Sequence, residues 1–351
     1  MLKTKMRYVL LALLALVMVI APAATATRAQ GADCLPGLDA DTCALFTAAT
    51  ENQGSITSFV MDYNIAMKTT GTGQDIDLSV VGSGPMDLAA LMAADPTTAM
   101  SDPSGLIKAI TASQTMDASM TTAGNTIKGN FEFRIVEGVL YFNGDLATQG
   151  KWMKIDLLQA LSAASGQMAG LQGQLGAATG AADPAMAAQV MSLFSDPSKF
   201  FTTEVGEGQE VDGVKTTSIT LTVNIKALVE ALFSEEGRAV LLEILKAQGQ
   251  EMDAQQLEQA AAAIRIFEPV LDATKMSMSW WIDPEAKQFR GFGLTFNTVV
   301  DKTTAALLNP QAATPSEITV DFNFLVTLSK LNEAVTVEPV ADAVDAMPAA
   351  N

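Results

Sequence analysis

Seven stretches of this chain alternate apolar with other side chains one by one, and successive residues of a β-strand point to opposite faces in that period. Phe59, Met61, Tyr63, Ile65 and Met67 alternate with Val60, Asp62, Asn64, Ala66 and Lys68. Ile76, Leu78 and Val80 stand against Asp75, Asp77 and Ser79, and Phe131, Phe133 and Ile135 against Glu132, Arg134 and Val136. Ile219, Leu221, Val223 and Ile225 alternate with Thr and Asn, and Met276, Met278, Trp280 and Ile282 with Ser277, Ser279 and Trp281. Phe292, Leu294 and Phe296 follow a turn at Asp283-Pro284-Glu285-Ala286-Lys287, and the longest run joins Ile318, Val320, Phe322, Phe324, Val326 and Leu328. Weaker strands fit 112–121 and 139–143, which brings the expected count to about nine. One apolar and one wet face is the habit of antiparallel sheets. The expected fold class is therefore α+β, with a large antiparallel sheet and helices on its apolar face.

Three segments read as helical. Residues 40–53 form a short first helix, capped by Asp39 or Asp41 and ended by Gly54. Residues 226–268 keep a three–four apolar spacing through Leu228, Val229, Leu232 and Phe233, then Val240, Leu241, Ile244 and Leu245. Residues 155–194 are rich in Ala, Gly, Gln and Met, and their glycines weaken a helix. Ser101-Asp102-Pro103-Ser104 and Ser195-Asp196-Pro197-Ser198 each read as a helix start, with Asp as cap and Pro first in the helix.

Composition narrows the chemistry. The 351 residues include no histidine, which removes a Ser-His-Asp triad, His-ligated zinc and imidazole acid–base work. Two cysteines cannot build a four-thiolate metal site. Acidic residues number 39 against 21 basic, for a net charge of −18, so no large phosphate-binding surface and no nucleic-acid partner is expected. There is no Gly-x-Ser-x-Gly elbow and no P-loop. Asp75 with Asp77, and Asp39 with Asp41, are close carboxylate pairs, but the calcium-loop pattern with its glycine is absent and a solvated acidic face accounts for them. The expectation is a protein that is not an enzyme and carries no metal and no cofactor.

Lys3, Lys5 and Arg7 precede an unbroken apolar run of 12 residues, Val9 to Ile20, and then small residues to Ala29. Twelve is short of the roughly 20 a spanning helix needs, so residues 1–29 read as an export signal. Its removal takes four basic and no acidic residues, and moves the net charge to −22. Cys34 and Cys43 then read in two ways: as a disulfide of an exported chain, or with Cys34 as a lipidated N-terminus. Gly31-Ala32-Asp33 fits a lipidation box poorly. Residues 30–333 are expected as a single domain and 334–351 as a flexible acidic, Ala-rich tail.

The segment order carries a family resemblance. Ser55–Tyr63, Ile127–Tyr141, Gly150–Asp156, the turn Gly206-Glu-Gly-Gln-Glu-Val-Asp-Gly-Val-Lys-Thr-Thr217 and the hairpin Trp281–Arg290 resemble, in this order, segments of the LolA-like lipoprotein carriers. The likeness is strongest to the LppX/LprG group of exported lipid-binding lipoproteins. That resemblance implies a curved half-barrel sheet wrapped over helices, with acyl chains held between. It implies a lipid or a lipidated protein as partner, and transient contact with a membrane. The Met-containing segments at 86–100 and 155–194 are slim cover for so wide an apolar face, and Met suits adaptable apolar surfaces.

The residues expected to contact acyl chains are the inward apolar positions Phe59, Met61, Tyr63, Ile65, Phe131, Phe133, Leu221, Val223, Met278, Trp280, Phe322 and Phe324. The same positions would equally form a dry core, in which case the chain is a non-catalytic extracellular protein-interaction module. Trp280 and Trp281 point to opposite faces, which leaves Trp281 as a partly buried aromatic on the wet side.

Overall fold

In the computed structural model, residues 34–72, 75–89, 103–145, 148–160, 192–247, 254–308 and 316–346 are described. The signal expected at 1–29, most of the 86–100 segment and most of the 155–194 block lie outside them. The strands are β1 (Ser58–Thr70), β2 (Ile76–Asp87), β3 (Thr111–Thr122), β4 (Asn125–Val136), β5 (Val139–Gly144), β6 (Met153–Asp156), β7 (Phe201–Val211), β8 (Val214–Val223), β9 (Lys275–Asp283), β10 (Gln288–Val300), β11 (Ile318–Ser329) and β12 (Val344–Asp345). They form one 12-stranded sheet in the order β12-β6-β5-β4-β3-β2-β1-β11-β10-β9-β8-β7. Every pairing is antiparallel except β12 on β6. The sheet is open, and the fold is α+β as the alternation requires.

Local chemistry sets the turns. The β3–β4, β4–β5 and β7–β8 turns are Ala123-Gly124, Glu137-Gly138 and Asp212-Gly213, each with both central residues at positive φ. That is the two-residue geometry whose twist matches paired strands, and glycine takes its second position without strain. The β7–β8 turn then folds back until Asp212 Oδ2 accepts the Lys330 N–H at 3.2 Å, just beyond β11. Four strand spacings separate β7 from β11, about 19 Å in a flat sheet. The sheet is therefore strongly bent at this end.

The helices are α1 (Ala40–Asn52), α2 (Pro103–Ala109), α3 (Ile225–Leu232), α4 (Glu235–Ala247), α5 (Ala254–Ile266), α6 (Glu268–Ala273) and α7 (Lys302–Leu308). Asp39 caps α1 by accepting the Thr42 N–H at 2.8 Å. That bond, with the one from the Thr42 hydroxyl, holds the Asp39 carboxyl below its ordinary range. One sequence expectation changes here. Ile225 does not extend β8: the Asn224 side chain accepts the Ala227 N–H at 3.0 Å and opens α3 instead. Ser195–Ser198 does start a helical turn with Asp196 at the cap position and Pro197 first, but of 3-10 and not α type. Pro197–Lys199 is one 3-10 turn, and the Asp196 carboxylate is engaged by the Ser198 hydroxyl and by Lys199, not by a helix N-terminus.

Trp281 lies on the polar face across glycines of its neighbours. A Cβ at Gly291 would stand 2.7 Å from its ring and one at Gly293 2.8 Å. Gly293→Ala is expected to push the indole off this platform and to cost about 1–3 kcal/mol of stability, read by chemical denaturation.

Residues 330–346 run from the end of β11 across the neighbouring strands. Thr57 N–H donates to Asn332 Oδ1 at 2.8 Å, the Ser58 hydroxyl to Glu333 O at 2.6 Å and Arg134 Nη1 to Glu338 O at 3.4 Å. Val344 and Asp345 then add β12 to the edge of β6.

Candidate functional site

Period two decides which face each strand side chain takes, and register decides which of them meet. On β1, Met61, Tyr63 and Ile65 are paired with Gly84, Gly82 and Val80 of β2. On the other side of β1, Ile65 is paired with Phe324 and Met67 with Phe322 of β11. Leu294 and Phe296 of β10 continue that row, followed by Met278 and Met276 of β9. Trp280, Met278 and Met276 are paired in turn with Ile219, Leu221 and Val223 of β8. In the other direction Gly82 is paired with Met116 of β3, Met116 with Phe131 of β4, and Phe133 with Phe142 of β5. All twelve residues singled out from the sequence therefore share one face of one sheet.

That face is covered unevenly. At β8 and β9, Ile219 and Ile282 are fully buried with Ala49 of α1, and Leu35, Leu38, Leu45 and Phe46 pack against them. Phe46 meets Trp280 edge-on, with ring centroids 5.5 Å apart. Beside this, Val223, Ile225, Leu228, Val229 and Phe200 form a second buried cluster, supported by Ile264 of α5 and Leu271 of α6. Leu221 and Val223 are thus core residues. The other ten are not: Phe59, Met61, Tyr63, Ile65, Phe131, Phe133, Met278, Trp280, Phe322 and Phe324 are each half-buried. Towards the β3–β4 turn the same face opens further, with Met120 39% and Ile127 48% exposed.

Aromatic rings line the half-buried part. Trp280, Phe292 and Phe324 step across β9, β10 and β11 at 6.0 and 6.4 Å between centroids. Phe131 contacts Phe133 and Phe142 at 6.5 and 6.4 Å. The Tyr63 ring lies over Gly82, where a Cβ would stand 2.2 Å from Cζ. Burial raises the Tyr63 pKa above its ordinary value, so the hydroxyl stays neutral.

The carboxylates sit elsewhere. Asp75 and Asp77 line a cleft of about 360 Å³ beside the β1–β2 turn, with Lys68, Thr70, Thr121 and Gly124. Asp75 Oδ1 accepts the Gly71 N–H at 2.8 Å and ties the hairpin. Among the described residues no group of three or more Cys, Asp or Glu is placed to hold a metal ion. Cys34 and Cys43 are joined by a disulfide, with Cα atoms 5.4 Å apart, just ahead of and within α1. No helix of the described residues is long and apolar enough to cross a membrane.

Fold and site together define an α+β protein built on an open, mostly antiparallel sheet with one continuous apolar face. No family model matches the chain, and no curated protein matches it. Among solved structures it is similar to the Mycobacterium tuberculosis lipoprotein LppX, with 13% identity and a TM-score of 0.25 over 84% of this chain and 97% of that one. At that score the likeness carries no inference about function.

Proposed function

We propose that this chain is an exported carrier that holds the acyl chains of a lipid or a lipidated partner against the apolar face of its sheet, and that it works without catalysis. The observation that carries this reading is the run of half-buried apolar side chains in register from β5 to β9, beside two clusters that are fully buried. A protein that needed this face for its own core would bury it as it buries Ile219 and Ile282. Contiguous exposed apolar surface marks an interaction site, and hydrocarbon gains about 0.8 kcal/mol per methylene buried there. The Cys34–Cys43 disulfide suits an oxidising compartment outside the cytoplasm, and the motif resemblance to LppX/LprG proteins points the same way. The exposed Met120 and Ile127 give acyl chains an entry edge at which a membrane is touched.

The test is titration with a fluorescent fatty-acyl probe. Saturable binding that unlabelled acyl lipid displaces supports the carrier. Absence of binding returns the chain to the alternative, an interaction module with a dry core.

A further inference from the structure

The apolar face contains one polar side chain that the packing leaves half used. Gln114 of β3 lies in the row of Ala112 and Met116, is paired with Phe133 of β4, and is 1% exposed. Its Nε2 donates to Gly84 O at 2.8 Å. This end has a structural role. The β2–β3 pairing is interrupted between Ser83 and Met86. The Gln114 amide takes up the carbonyl left there. Because a carbonyl can only accept, the nitrogen must face Gly84, and this fixes the amide orientation. The other end has no such role: Gln114 Oε1 is buried without a hydrogen-bond partner among the described residues. A desolvated acceptor left without a donor is unfavourable, so a buried one calls for an explanation.

Its surroundings supply one. Gly84 is paired with Met61, and Gly82, about 7 Å along β2, lies under the Tyr63 ring. Gln114 therefore stands within the stretch of face formed by Met61, Tyr63, Met116, Phe131 and Phe133, where register gathers five of the half-buried apolar side chains. The oxygen is covered by its neighbours, so a ligand settling into this stretch meets it by displacing the half-buried side chains around it.

Building on the acyl-carrier reading, we propose that Gln114 Oε1 is the selectivity point of the face: it accepts a hydrogen bond from a hydroxyl or amide N–H on the bound lipid. The site then prefers acyl ligands that bear such a donor over equally long chains that lack one. Hydrocarbon contacts hold both classes, and the donor separates them.

The experiment compares hexadecanol with its methyl ether, which keeps the oxygen and the chain but has no donor. The two are competed against an acyl probe on wild type, Gln114→Met and Tyr63→Phe. Wild type is expected to bind the alcohol about tenfold more tightly, the worth of one hydrogen bond. Gln114→Met is expected to bind both alike, and Tyr63→Phe to keep the preference. Equal binding by wild type overturns the proposal while leaving the carrier reading intact. A preference that survives in Gln114→Met, or vanishes in Tyr63→Phe, also overturns it. If neither compound binds wild type, both readings fall. Should Gln114→Met not fold, the wild-type pair and Tyr63→Phe still decide.

Discussion

Replacing Asp283 with alanine is expected to lower the unfolding free energy by about 3–5 kcal/mol, the range for removing one partner of a buried ion pair. Asp283 closes β9 and is 4% exposed. Its Oδ1 accepts the N–H groups of Glu285 and Ala286 at 3.0 and 2.9 Å, which shapes the turn into β10. Its Oδ2 meets Arg290 Nη2 at 3.1 Å. Arg290 stands in the β-bulge between Phe289 and Gly291, and its Nε is buried without a partner among the described residues. Removing the carboxylate would strand the guanidinium, so Asp283→Ala with Arg290→Met should recover much of the loss. Urea denaturation of the two variants checks this. Full stability in Asp283→Ala would show that the pair does not hold the hairpin.

The same residue gives a pH dependence. Burial pushes the Asp283 pKa up, but the N–H donors of Ala286 and Glu285 and the Arg290 charge outweigh it, and the folded value lies below the ordinary 3.8. A depressed carboxylate pKa contributes stability that is fully present above the unfolded value. It is lost as pH falls through the folded value. Stability should therefore be flat in this group above about pH 5 and decline below pH 4, with a shallower decline in Asp283→Asn.

The second large effect concerns binding. Phe324→Asp is expected to weaken acyl-probe affinity by more than about tenfold, since a carboxylate in a hydrocarbon contact must be desolvated or protonated. Phe324 sits in the middle of the face, paired with Ile65 and Leu294 and in ring contact with Phe292. The control is Asn323→Asp, which puts the same charge on the same strand but on the opposite, wet face. Probe titration with circular dichroism on both variants reads the result. Equal losses in the two would mean that the charge, and not the face, is responsible.

The central sheet was legible because period-two alternation is a physical consequence of having one buried face, and every strongly alternating run became a strand. Three strands carry no such signal. β7 is an edge strand whose Glu204, Glu207 and Glu210 face water. β6 has four residues, and β12 is a two-residue parallel addition from a segment whose composition reads as tail. The twelve site residues were legible as apolar positions, and their common face followed from pairing. What period two does not encode is the division between the dry cover over Leu221 and Val223 and the half-buried stretch from β5 to β9. That depends on where α1, α3 and α6 dock. Gln114 carries no sequence signal for a related reason: a polar residue at an inward position weakens the alternation of 112–121, and only the β2–β3 register gives it a place on the face.

The most direct measurement is native mass spectrometry of the protein purified from a membrane-containing host, paired with solvent extraction of the same sample. A species heavier than the bare chain by the mass of an acyl lipid found in the extract is expected, and so is its loss in Phe324→Asp. Bare chain alone, with no acyl lipid in the extract, would contradict the carrier reading.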